Sequence, residues 1–152
     1  MRYSVIGFAL LAFATALPAA EPYAGTWKLD PAKSTFTKGE GPKEQTITIA
    51  EKGKQIDVNV EGTASDGKPI AVHYMVPVKG GKGKMMNTAA YDAISAKRIS
   101  ANERENTFSK GGKVAFTAHS TIAPDGKTMT VATKGTNPAG QDTDGTVTYE
   151  KQ

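Results

Sequence analysis

Apolar and polar residues alternate in short runs along most of the chain, the period that sends every second side chain to one face of a β-sheet. In Lys54-Gln55-Ile56-Asp57-Val58-Asn59-Val60-Glu61 the apolar positions are 56, 58 and 60. Ile70, Val72, Tyr74 and Val76 keep that period, and Thr46-Ile47-Thr48-Ile49 shows it in four residues. So do Val114, Phe116, Ala118 and Ile122, with Ser120 interrupting, then Met129 with Val131, and finally Val147 with Tyr149. The opposite face of each run is polar, which predicts antiparallel sheet wetted on one side.

Glycine-bearing turns separate the runs, at Gly53, Asp66-Gly67, Gly80-Gly81, Gly111-Gly112, Asp125-Gly126 and Ala139-Gly140. They fall fourteen or fifteen residues apart, except for a thirty-residue gap that accommodates turns near Ala89-Ala90 and Ala101-Asn102. Strands of about nine residues joined by turns of about four fit this spacing and predict consecutive hairpins. Including the run around Trp27, nine or ten strands are expected. No helical stripe is sustained. The segment from Pro31 to Lys43 lacks alternation and reads as a loop.

An open meander of this size would leave two edges unpaired, so the expected architecture is all-β: an up-and-down meander closed into a barrel, with a two-sheet β-sandwich as the alternative. Successive turns of a meander alternate between its ends. Turns near 53, 81, 102 and 125 should therefore share one end, and those near 65, 90, 111 and 140 the other.

The N-terminus departs from this pattern. Arg2 precedes an apolar run from Val5 to Leu17, followed by Pro18-Ala19-Ala20 and polar Glu21-Pro22, the order of a secretory signal. The run is 13 residues, short of the ~20 a membrane span needs. The expected organisation is a signal peptide over 1–20, cut after Ala16, Ala19 or Ala20, and one domain over 21–152. The product is expected to be exported to a periplasm or the medium and not to span a membrane. With no cysteine in the chain, stability must come from packing and sheet closure, and a lipidated cysteine, a cysteine nucleophile and a thiolate metal site are excluded.

Charge narrows the partners. The formal net charge is +4, and sixteen of the nineteen cationic residues are lysine. Nucleic-acid readers rely on arginine forks beside stacking aromatics, so a solvated surface is the expectation and nucleic acid is not an expected partner. One end of the meander should nonetheless be basic, gathering Lys52, Lys54, Lys79, Lys82, Lys84 and Lys127 against Glu51, Glu103 and Asp125.

The stretch Tyr23-Ala24-Gly25-Thr26-Trp27-Lys28-Leu29 resembles the first strand of calycins, the group that includes lipocalins and fatty-acid-binding proteins. The resemblance implies that Trp27 plugs the closed end of a barrel and that Gly25 permits a bend there. The ending Thr148-Tyr149-Glu150-Lys151 is similar to the closing strand of fatty-acid-binding proteins. Gly25 to Asp30, Asp66-Gly67-Lys68, Asp125-Gly126-Lys127, Ser95-Ala96-Lys97-Arg98 and Lys134-Gly135-Thr136-Asn137 resemble the recurring elements of a set of uncharacterised bacterial secreted proteins with a lipocalin-like, calycin-type barrel. That likeness implies fold and export but no activity. Two features depart from fatty-acid-binding proteins: Val147 stands where they hold a carboxylate with arginine, and residues 31–43 are too few for their helical lid.

Candidate chemistry is sparse. His73 and His119 lie opposite the apolar faces of their strands and read as solvent-facing, with no third metal ligand at a recognisable spacing. No Gly-x-Ser-x-Gly elbow, Walker loop or His-Glu-x-x-His helix is present. Glu103 and Glu105 share a strand face, and Arg104 and Lys110 beside them suggest a solvated charged surface. Tyr74, Tyr91, Phe108, Phe116 and Met129 are candidates to line a ligand cavity. The leading expectation is non-catalytic binding of a small apolar or amphipathic molecule inside the barrel, with no cofactor and no metal. The alternatives are an envelope or extracellular interaction module using the basic end, and an enzyme sited on the rim.

Overall fold

The computed structural model describes residues 21–152, so the signal reading, on residues 1–20, lies outside it. The strands are β1 (Gly25–Leu29), β2 (Thr35–Lys38), β3 (Glu44–Lys52), β4 (Gln55–Thr63), β5 (Pro69–Pro77) and β6 (Gly80–Lys82). They continue with β7 (Lys84–Met85), β8 (Ala93–Arg98), β9 (Glu103–Lys110), β10 (Lys113–Ile122), β11 (Thr128–Thr136) and β12 (Asp142–Lys151). No α-helix occurs among the described residues, only a 3-10 turn at Pro31–Lys33. All strand pairs are antiparallel and belong to one sheet, in the order β6-β8-β9-β10-β11-β12-β1-β3-β4-β5-β7.

Strands from the two ends of the chain meet in this order, β1 lying between β12 and β3 with Trp27 opposite both Lys151 and Ile47. The sheet thereby curls into a nearly closed all-β barrel, and the sandwich alternative is not formed. Closure runs through an interrupted strand: β6 pairs with β8, β7 pairs with β5, and Gly83 links them, donating its N–H to Ile94 O at 2.9 Å. Residue 83 must be glycine here, because a Cβ would stand 2.3 Å from the Met75 carbonyl oxygen. The turns segregate as the meander requires. Those at 53, 78–79, 99–102 and 123–127 lie at one end, and those at 64–68, 87–92, 111–112 and 137–141 at the other.

Two expectations are corrected. Residues 31–43 are not simply loop: Asp30 caps the 3-10 turn, accepting the Ala32 N–H at 3.0 Å, and β2 then pairs with β12 from Thr146 to Asp144. Strand β1 stops at Leu29, leaving the lower edge of β12 unpaired, and the four residues of β2 fill it. So brief a run, with Phe36 its one apolar residue, offers too little alternation to be recognised. The second correction is Val114, which is 65 % exposed although its parity matches Phe116. A bulge between Val114 and Phe116 inserts one residue and reverses the facing of the strand there.

Candidate functional site

The segment from Glu21 to Ala24 crosses one end of the barrel and shuts it. Its Tyr23 hydroxyl donates to Ser120 O on β10 at 2.9 Å, the Glu21 N–H donates to a Glu51 carboxylate oxygen at the β3–β4 turn, and the Glu21 carboxylate accepts from Arg98 at the end of β8. Trp27 sits beneath this crossing with no exposed surface, its indole N–H donating to Tyr23 O at 2.8 Å. The Lys151 ammonium lies 5.1 Å from the centre of the ring, within cation–π range. Gly25 has φ +132°, a conformation L side chains rarely adopt, and a Cβ there would meet Lys151 Cε at 2.8 Å.

Inside the wall lies a cavity of about 150 Å³. Tyr74, Tyr91, Phe108, Phe116 and Met129 all line it, among aliphatic side chains that include Val58, Val72 and Val131. Four of the five are in mutual aromatic contact. The Tyr74 and Phe108 rings meet edge to face at 5.2 Å, Tyr91 lies 4.9 Å from Phe108, and Phe116 is 6.1 Å from both Tyr91 and Phe108. Burial holds the phenols of Tyr74, Tyr91 and Tyr149 well above the ordinary tyrosine range. Each hydroxyl is still partnered: Tyr74 accepts from Asn106 at 3.0 Å, Tyr91 donates to Thr136 O at 2.9 Å, and Tyr149 donates to Gln45.

Polar side chains line the cavity at both ends, Glu40, Gln45 and Asn137 away from Trp27 and Asn106, Arg104 and Ser120 toward it. Along β9 the inward positions are Phe108, then Asn106, then Arg104, a descent from apolar to amide to cation toward the closed end. Arg104 is only 4 % exposed. Its terminal nitrogens donate to Pro77 O at 3.3 Å and Val78 O at 2.8 Å, and its guanidinium lies 5.9 Å from the Tyr23 ring centre. Desolvation pulls its pKa below the usual arginine value, opposed by the Glu21 charge.

Arg104 therefore corrects the reading of a solvated surface over residues 103 to 110. Period-2 alternation sends Glu103 and Glu105 outward and Arg104 inward. The parity carries the signal, since Arg104 is in phase with Phe108, but four charged residues near one another mask it. The two glutamates flank His119, whose Nε2 lies 2.8 Å from Glu103 Oε1 and Nδ1 3.6 Å from Glu105 Oε2. His73 pairs with Asp57 at 2.6 Å on the outer face of β4 and β5. The two histidines are on separate parts of the wall, and no group of three or more acidic or histidine side chains among the described residues is placed to hold a metal ion.

Ion pairing differs between the two ends. At the end away from Trp27, Lys68, Lys38 and Lys134 pair with Asp66, Asp142 and Asp144, while Lys43, Lys110 and Lys113 make no ion pair among the described residues. At the Trp27 end Lys52 pairs with Asp57, while Lys54, Lys79, Lys82, Lys84 and Lys127 make no ion pair among the described residues. No protein-family model and no curated protein matches the chain, so fold and geometry carry the functional argument.

Proposed function

We propose that the chain is an exported, non-catalytic barrel that holds a small apolar or amphipathic molecule in its interior. The supporting observation is the cavity: aromatic and aliphatic walls, a few converging polar groups, and one end shut by Trp27 and the segment before it. Such a concave apolar interior is the usual setting for small-molecule binding. Its volume, about 150 Å³, matches cavities that take up benzene. The reading therefore specifies a compact ligand of that order rather than a long acyl chain. Export rests on the order of charge, apolar run and small residues over 1–20.

Native mass spectrometry of protein purified from its host without detergent should retain a small organic mass. NMR titration with toluene should shift amides of β5, β9 and β10. If no mass is retained and toluene moves none of those resonances, the cavity is only core and the reading fails.

The five lysines without ion partners at the Trp27 end favour a second reading, an interaction module that engages anionic envelope polymers through that end. Its affinity would be weak and steeply salt-dependent. Dextran sulfate binding that survives high salt unchanged, or is unaltered in a Lys79→Gln/Lys82→Gln/Lys84→Gln variant, removes it.

A further inference from the structure

We infer that export of this chain ends with hydrolysis of the Ala20–Glu21 peptide bond, and that the α-ammonium released at Glu21 is the final fastening of the closed barrel end. The inference rests on the export reading above and chooses among its three cleavage points. Residues 16–20 lie outside the described residues, so the choice comes from the groups around Glu21. That residue is anchored on two sides. Its carbonyl accepts the Ala24 N–H at 3.0 Å, and its side chain, only 12 % exposed, accepts from Arg98 at the end of β8. Its own N–H donates to Glu51 Oε1 at the β3–β4 turn. Glu21 thus spans the barrel end from β8 to the β3–β4 turn.

Two acceptors there lack what a peptide nitrogen can give. The Glu51 carboxylate takes the neutral N–H of residue 21 and makes no ion pair among the described residues. Glu21 Oε2 is buried with no hydrogen-bond partner among the described residues, and an unmatched buried carboxylate oxygen is costly. The next residue, Pro22, has no N–H to offer it. Hydrolysis changes the donor at this anchored position. Water adds its hydroxyl to the Ala20 carbonyl and its hydrogen to the Glu21 nitrogen; the new acid loses its proton and the new amine gains one. A single neutral donor becomes three donors and a positive charge. Glu51 then receives a charge-assisted hydrogen bond, and the two other protons are the donors nearest along the chain to Oε2. A cut after Ala16 or Ala19 places the ammonium on Leu17 or Ala20 and leaves the Glu21 amide unchanged. Only the cut after Ala20 supplies both acceptors.

Intact mass and N-terminal sequencing of protein collected outside the cytoplasm of its host should show a chain that starts at Glu21 with a free amine. A start at any other residue past Met1 overturns the assignment and leaves export intact. Retention of Met1, or absence of the protein from both envelope and medium, overturns export as well. The fastening is tested on two purified chains that each hold the whole barrel, one starting at Glu21 and one at Ala20. The Glu21 chain should melt about 1–4 °C higher, the size expected of one exposed ion pair in a domain of about 130 residues. The difference should shrink in Glu51→Gln, which keeps an acceptor oxygen and removes the charge. Equal melting of the two chains, or a difference that Glu51→Gln leaves whole, overturns the fastening.

Discussion

Replacing Trp27 by alanine tests the closure of the barrel most directly. The indole is fully buried and its N–H is committed to Tyr23 O. Removing a large aromatic from such a site costs about 3–5 kcal/mol, a range that includes the cavity left behind. The orphaned Tyr23 carbonyl places this case toward the upper part of the range. For a domain of about 130 residues, with unfolding entropy near 2.1 cal/mol/K per residue, that loss corresponds to a fall in Tm of roughly 11–18 °C. Trp27→Phe keeps most of the packing and loses the hydrogen bond, so it should fall by only about 4–7 °C. Circular-dichroism melts of the two variants and the parent give both numbers. As the chain has a single tryptophan, its fluorescence in the parent should be blue-shifted and protected from iodide quenching. A Tm change below about 2 °C for the alanine variant, with iodide-accessible emission, would refute the account of the closed end.

The tyrosines make a second prediction: the described chain has Tyr23, Tyr74, Tyr91 and Tyr149, all held above the ordinary range chiefly by burial. Stability from these raised values is present below the unfolded pKa of about 10 and lost as pH rises beyond it, so phenolate absorbance should appear only together with alkaline unfolding; gradual ionisation near pH 10 in folded protein counts against it. Asp57 is held below the usual carboxylate range by its Lys52 hydrogen bond and then by His73. Its contribution is present above about pH 3.9 and lost as pH falls through the lower folded value, so Asp57→Asn should be less stable at neutral pH and lose less on acidification in pH-dependent melts. Gly83→Ala places a methyl against the Met75 carbonyl at the interrupted strand; denaturant unfolding should record about 1–3 kcal/mol of lost stability, with faster amide exchange in β7 than in β11.

Much of the architecture was legible from local periodicity. Alternation over 54–61, 70–76 and 128–131, with turn glycines at near-constant spacing, was enough to give consecutive antiparallel hairpins and the sorting of turns to two ends, because side-chain facing and hairpin order are local properties of the chain; the nine or ten strands expected became twelve, through the short strands β2, β6 and β7. The same parity placed Tyr74, Phe116 and Met129 on the apolar faces of their strands, where they line the cavity. The strand β2 was not legible, because its pairing depends on an edge of β12 more than a hundred residues away. Neither was the reversal at Val114, which arises from a bulge against β9.

Arg104 marks the boundary between the two kinds of information. Sequence alone determined its parity, in phase with Phe108, but could not say that a charged residue would follow that parity into the interior. Only the tertiary structure decided it, by bringing the Pro77 and Val78 carbonyls from the far side of the seam to the guanidinium and carrying Tyr23 and Glu21 across the barrel end. The physical reason is that the cost of burying a charge is set by partners distant along the chain, whereas alternation records only which face a side chain is offered.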